Sequence, residues 1–194
     1  VAVWGVARLR DCRLFDNHVE GDFDSSRDRG AFGGAVYADI VDMQRCVVSG
    51  NSALGAGAAG GGIYSVGGAG STRTLSTIDS SAVSGNAIRG LFVYGAGIYS
   101  DGGGIGKANT LRVTNTTVAR NLAEPSAGLP PFLLNMGYWR GAGLYMSNGY
   151  MELQSVTVVE NSVRGRARPD SLGRRNLPGG TAATDGNAHA DDRK

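Results

Sequence analysis

Gly60-Gly61-Gly62-Ile63-Tyr64, followed by Val83-Ser84-Gly85-Asn86, is the stretch that decides the fold, because both halves recur in the same order along the chain. Aligned on the asparagine, five segments read Leu14-Phe15-Asp16-Asn17, Val48-Ser49-Gly50-Asn51, Val83-Ser84-Gly85-Asn86, Val118-Ala119-Arg120-Asn121 and Val158-Val159-Glu160-Asn161. Their asparagines are 34, 35, 35 and 40 residues apart. The glycine motif recurs as Gly33-Gly34-Ala35-Val36-Tyr37, Gly95-Ala96-Gly97-Ile98-Tyr99 and Gly141-Ala142-Gly143-Leu144-Tyr145. The first repeat lacks the glycines, yet Val3-Trp4 takes the place of Val36-Tyr37. A period of this length marks units that bury an apolar face only by stacking on their neighbours.

Within each repeat the apolar pattern has period two, which is strand rather than helix. Ten and eight positions before the asparagine stand Ala7 and Leu9, Val41 and Met43, Ser76 and Ile78, Leu111 and Val113, Met151 and Leu153. Five and three positions before it stand Cys12 and Leu14, Cys46 and Val48, Ser81 and Val83, Thr116 and Val118, Val156 and Val158. The alternation slips by one residue between the two sets, which marks a corner between short strands. With the Gly-Gly-x-Ile-Tyr strand, each repeat supplies three strands and a longer loop. The expected fold is all-β, a right-handed single-stranded parallel β-helix of four complete coils and a partial fifth over residues 1–163. Coils in such a stack lie ~4.8 Å apart. The motif glycines suit corners of positive φ, and asparagine best tolerates that geometry among other residues. Asn17, Asn51, Asn86, Asn121 and Asn161 are expected to form an amide ladder.

Composition agrees with one domain. The 194 residues are 41% apolar, and 32 glycines are roughly double the average without the period of collagen. The net charge of +2 belongs to the end of the chain, since residues 164–194 hold 7 Arg or Lys against 4 Asp or Glu. That segment, opening Arg164-Gly165-Arg166-Ala167-Arg168-Pro169, has Leu172 and Leu177 as its large aliphatic residues and is expected to be a disordered Arg/Gly/Pro-rich tail. Its basic charge reads as solvated, with no specific nucleic-acid partner. No membrane span and no secretory leader are legible. Val1 in place of Met points to a processed or truncated part of a longer chain.

The pairing of Gly-Gly-Ala-Ile with Phe-x-x-Asn, matched here by the motifs at 33–37 and 14–17 and their copies, resembles the polymorphic outer membrane protein repeat. More broadly the pattern is similar to the pectin-lyase-like right-handed β-helix superfamily. The resemblance covers roughly residues 1–163, with Val or Leu standing for phenylalanine in all but its spacing. It implies a surface-exposed or secreted, adhesin-like segment. The same fold also carries polysaccharide lyases and glycoside hydrolases, which are therefore the alternative function.

Those chemistries need paired carboxylates at a cleft, or a base beside acid-bound Ca²⁺. Residues 1–163 contain one histidine, His18, and one lysine, Lys107, and no Asn-Thr-Asp, Asp-Asp or Gly-His-Gly pattern, so no catalytic residue is assigned. Asp16, Glu20, Asp22, Asp24 and Asp28 cluster around the first long loop. Without the glycine and terminal glutamate of a calcium loop they read as a hydrophilic loop partnered by Arg27 and Arg29, with Ca²⁺ as the alternative to no cofactor.

Aromatic residues offer a candidate site. Trp4, Tyr37, Tyr64, Tyr99 and Tyr145 follow inward-pointing residues and are expected to form an outward column. Such rings either stack on sugar rings of a carbohydrate partner or are covered by returning loops. In the segment 122–140, Pro130-Pro131-Phe132-Leu133-Leu134 and Tyr138-Trp139 form either a site for a cell-surface protein partner or, preferably, a cap on the rod. Cys12 and Cys46 occupy equivalent positions and should touch on neighbouring coils, as a disulfide in an extracellular or cell-surface setting or as two thiols in a reducing one. Asn115-Thr116-Thr117 is a glycosylation sequon. The functional expectation is a noncatalytic extracellular or cell-surface segment for adhesion, glycan binding or structural display.

Overall fold

A computed structural model describes residues 1–21, 30–67, 73–102, 109–127, 129 and 137–164. The expected tail disorder, Asp22, Asp24 and Asp28, and the Pro130–Leu134 run lie outside the described residues. Among those described there is no helix; every strand pairing is parallel, and the strands form four stacked sheets of a β-solenoid.

The register follows the repeat. Leu14, Val48, Val83, Val118 and Val158 are successive partners in one five-stranded sheet. Val19, Ala53, Ile88, Ala123 and Val163 are partners in a second. The widest sheet contains Ala2–Arg10 and Val36–Gln44. Ala2 pairs with Tyr37 and Val3 with Ala38 before the register shifts between Val3 and Val6, which corrects the expectation that Val3-Trp4 takes the place of Val36-Tyr37. Beyond these two strands each long strand becomes two, Ile63–Ser65 with Thr74–Asp79, then Ile98–Asp101 with Asn109–Thr114. Where the long strand divides, side chains replace lost backbone pairing. Ser65 and Ser76 hydroxyls meet at 2.8 Å, and Val41 N–H donates to Ser76 Oγ at 3.2 Å. Buried hydroxyls so paired cost little.

The sequence expectation of three strands per coil is corrected, because the strand after the glycine motif and the strand ten to eight residues before the asparagine share one sheet, and two further walls occur, one directly after the asparagine and one ahead of the glycine motif. Ala31–Phe32, Gly57–Ala59, Phe92–Tyr94 and Tyr138–Arg140 pair as a further wall immediately ahead of each glycine motif. Tyr138 and Trp139 thus belong to a strand rather than a loop, and Trp139 Nε1 donates to Gly90 O at 3.2 Å.

Two apolar cores fill the solenoid. The larger contains Val36, Val41, Met43, Val48, Ile63, Ile78, Val83, Ile98, Leu111, Val113 and Val118. The smaller is alanine-rich, with Ala31, Ala53, Ala58, Ile88, Val93, Ala96 and Ala123. Each fully buried Val, Ile or Leu contributes ~1.5–3 kcal/mol of transfer free energy. Burial weakens at the last strands, where Leu153 and Val158 point toward the core yet are 42% and 46% exposed.

Corners are built from left-handed residues, though not from the asparagines. Asp16, Gly50, Gly85, Arg120 and Glu160, each one residue before its asparagine, have φ from 53° to 67°. Asp11, Arg45, Ser80, Asn115 and Ser155, six residues before, have φ from 48° to 53°. The ladder asparagines are absent from the positive-φ residues, which corrects the expectation that they turn the corner themselves. Their role is carried by the side chain.

Candidate functional site

The strand after each glycine motif directs Val36, Ile63 and Ile98 into the large core and the next residue to the opposite face. This alternation makes a file of rings along the solenoid. Trp4 meets Tyr37 edge-on with centroids 5.6 Å apart. Tyr37 and Tyr64 stack at 5.3 Å and 12°, Tyr64 and Tyr99 follow at 4.8 Å, and Tyr99 and Tyr145 stack at 5.7 Å and 9°.

Most of the file is closed to a partner. Tyr64 and Tyr99 are 9% and 8% exposed, whereas Trp4 is 84% exposed. The cover comes from the neighbouring sheet: Phe32 packs on Tyr64 at 5.1 Å, and Tyr94 packs on Tyr99 and Tyr145 at 6.2 and 5.3 Å. Val66 packs against the same cluster. Of the two alternatives for the column, the middle rings are covered, by residues of the neighbouring sheet, and the end at Trp4 is open. Burial pushes the Tyr99 phenol up to about 12 and the Tyr64 phenol higher still, so both remain neutral.

Sequence reasoning missed the second file. Phe92 and Tyr138 are strand partners with stacked rings 6.0 Å apart, and the Arg140 guanidinium lies 5.3 Å from the Tyr138 ring centroid. Tyr138 is exposed, and Arg140 is held charged beside the Tyr145 phenol. The pattern was legible, because Phe92-Val93-Tyr94 and Tyr138-Trp139-Arg140 both alternate and both abut a motif glycine.

The asparagines are brought into one ladder. Nδ2 of Asn17 donates to Oδ1 of Asn51 at 2.8 Å, and the same bond links Asn51 to Asn86, Asn86 to Asn121 and Asn121 to Asn161 at 2.8–2.9 Å. Each receiving oxygen also accepts the backbone N–H of the preceding asparagine. The second amide proton goes to the carbonyl of Leu14, Val48, Val83 or Val118. Asn51, Asn86 and Asn121 are fully buried with their polar groups satisfied, which makes the ladder structural.

Charged residues pair between neighbouring strands on the outside: Arg10 with Asp42, Arg45 with Asp11, Arg89 with Glu124, Arg112 with Glu152 and Arg120 with Glu160, at 2.5–2.7 Å. Hydrogen bonds from Arg45 hold the Asp11 carboxyl below the usual carboxylate range, those from Arg10 do the same for Asp42, and those from Thr114 and Ser80 for Asp79. Asp16 and Glu20 are the described members of the expected acidic cluster, and no group of three or more metal-ligating side chains occurs among the described residues. Cys12 and Cys46 are free thiols with sulfur atoms 2.8 Å apart.

Comparison with protein-family models, with curated proteins and with solved structures finds no match. No helix among the described residues is long and apolar enough to cross a membrane.

Proposed function

We propose that the chain is a right-handed parallel β-helix of four complete coils and a partial fifth, of the type of the polymorphic outer membrane protein repeat, acting as a noncatalytic extracellular or cell-surface segment that holds a carbohydrate partner. The observation that carries this reading is a pair of exposed rings, Trp4 at the open end of the aromatic file and Tyr138 stacked on Phe92 with Arg140 beside it. Rigid rings present apolar area to a sugar face at little entropic cost, and a guanidinium nearby suits acidic or hydroxyl-rich glycans. The outer carboxylates favour the noncatalytic reading. A glycosidase acid needs a raised pKa, whereas those of Asp11, Asp42 and Asp79 are lowered by the side-chain donors they accept from.

A glycan array on the full chain, run beside an ultraviolet assay for unsaturated sugar products, tests both parts. Trp4→Ala with Tyr138→Ala is expected to reduce retained glycan signal about thirty-fold, at ~1 kcal/mol for each ring. Undiminished binding by that double variant refutes the aromatic site. Release of unsaturated or hydrolysed sugars refutes the noncatalytic reading in favour of the lyase or hydrolase.

A further inference from the structure

We propose that the tyrosine file relays and shelters a single oxidising equivalent, which enters at Tyr94 and is held by Tyr99 and Tyr64. These rings lie inside the stack, where Tyr64 and Tyr99 have strand partners on both sides, as does Tyr94. Tyr94 stands 6.2 Å from Tyr99, Tyr99 stands 4.8 Å from Tyr64, and Tyr64 stacks on Tyr37 at 5.3 Å. Rings this close exchange electrons through space. Tyr94 is half-buried and open to a small oxidant, whereas Tyr64 and Tyr99 are covered by Phe32, Tyr94 and Val66. Stacking alone would be served by phenylalanine, as at Phe32 and Phe92. Positions 37, 64, 99 and 145 all carry a phenol instead, including the two that are buried.

A phenol gives up an electron readily when its proton can leave with it, and acceptors stand beside the file. Residues two apart on a strand share a face, so Asp39 and Asp101 lie on the ring side with Tyr37 and Tyr99. After burial, the Asp101 carboxylate is among the charges that raise both Tyr64 and Tyr99, and Asp39 acts likewise on Tyr37. The hydroxyl of Ser147, the register partner of Asp101, hydrogen-bonds the Tyr99 phenol. A one-electron oxidant of the metal-centred or oxygen-radical class takes an electron from Tyr94, whose phenol proton passes to water, and leaves a neutral phenoxyl. Tyr99 then gives its electron to that phenoxyl and its proton to the Asp101 carboxylate, while the Tyr94 oxygen regains a proton from water. Exchange onward to Tyr64 uses the same carboxylate, which returns its proton to Tyr99 and receives that of Tyr64. Phenol and phenoxyl are both uncharged, so burial does not penalise the oxidised ring. A radical held there is out of reach of other chains, with which an exposed one would couple to form dityrosine.

Photogenerated tris(bipyridine)ruthenium(III), with persulfate as terminal electron acceptor, is applied to the full chain at neutral pH. Tyrosyl radical is read by rapid-freeze electron paramagnetic resonance, and dityrosine cross-links by mass. The wild type is expected to hold a long-lived radical and to form few cross-linked chains. Tyr64→Phe with Tyr99→Phe keeps both rings and their stacking but removes the phenols, so it should lose the long-lived signal and cross-link more. Asp101→Asn keeps every ring and removes the proton acceptor, so the radical should form more slowly and in lower yield. Tyr150→Phe, at an exposed ring outside the file, should change neither reading. A wild type without a long-lived radical overturns the inference. So does a signal that survives the double variant, that is indifferent to Asp101→Asn, or that Tyr150→Phe removes.

Discussion

Gly62 and Asn86 face one another across the inside of the solenoid: a methyl group on Gly62 would lie 3.1 Å from both Cγ and Nδ2 of the asparagine. The same relation holds between Gly97 and Asn121 and between Gly143 and Asn161, with closest approaches of 2.9 Å. The glycine motif and the asparagine motif recur together because one vacates the space that the other's amide fills. Ala35 occupies the equivalent place opposite Asn51, so the site tolerates a methyl when its neighbours give by a few tenths of an ångström.

Replacing Asn86 should be among the costliest changes. Asn86→Ala strands the N–H and Nδ2 of Asn51 and the carbonyl of Val48 inside the protein. At ~1–3 kcal/mol for each orphaned group, a loss of at least ~3 kcal/mol is expected in urea unfolding. Asn86→Asp sharpens the test. A buried carboxylate there accepts from Asn51 but has no proton for Val48 O or Asn121 Oδ1, so burial raises its pKa. The extra stability of the protonated form is present at low pH and lost as pH rises through that raised value. Asn86→Asp should therefore be more stable at pH 4 than at pH 7, and the opposite order would contradict the ladder geometry.

Two glycines of similar φ should respond very differently to alanine. Gly85, at +64°, has Gly50 N at 3.9 Å from the added methyl, and Arg120 and Glu160 occupy the same corner in later rungs. Gly85→Ala should cost ~1 kcal/mol, the left-handed penalty alone. Gly95, at +61°, would place its methyl 2.5 Å from Ile98 O, and each equivalent position is also glycine. The backbone must move, and Gly95→Ala should cost ~3 kcal/mol or more. Equal unfolding midpoints for the two variants would refute the corner assignment.

Those contrasts mark how far the letters reach. The rungs were legible because Leu14, Val48, Val83, Val118 and Val158 repeat in strict order, and the register needs no more than that. The fourth sheet was not, because no one residue type runs through it: Ala31 and Ala58 give way to Val93 and Trp139 in one column of very different volumes. The aromatic file was legible in direction, since Tyr64 must oppose Ile63. Its closure was not, because Phe32 and Tyr94 reach it from that unrecognised sheet. The corner at Asp11, Arg45, Ser80, Asn115 and Ser155 was legible from the slip in alternation, but its left-handed backbone was not, because these residues have no common side chain.

Acid should loosen the outside of the solenoid first. Asp79 accepts from Thr114 at 2.5 Å, Ser80 at 3.0 Å, and Asn115 and Gln44 at 3.3 Å, and its pKa is lowered, as are those of Asp42 and Asp11. A depressed folded-state value means stability that is present above the unfolded pKa, near 4, and lost as pH falls through the folded one. Melting temperature should be flat from neutral pH to ~5 and decline below ~4. Asp79→Asn, which cannot lose that charge, should start lower and decline less; a parallel decline would remove Asp79 from the account.

The cysteine pair gives the last test. The sulfur atoms of Cys12 and Cys46 are 2.8 Å apart, and burial together with the Cys46 hydrogen bond pushes the Cys12 thiol up to about 12. Since the thiolate is the reactive form, alkylation of the folded protein at neutral pH should be far slower than in urea. The sign for stability follows: the neutral thiol's contribution is present below the unfolded value, near 8.5, and is lost as pH rises toward the folded one. An oxidant should join the pair with the loss of two hydrogens, read by intact mass. Closing a loop of this length, 34 residues from cysteine to cysteine, is worth up to roughly 4 kcal/mol before strain. Cys46→Ser isolates that gain, because Ser81 stands at the equivalent position one rung on and donates to Asp79 O at 2.7 Å. The serine variant and the reduced wild type should unfold within ~1 kcal/mol of each other, with the oxidised wild type well above both. An oxidised form no more stable than the reduced one would show that the junction between the first two rungs does not limit unfolding.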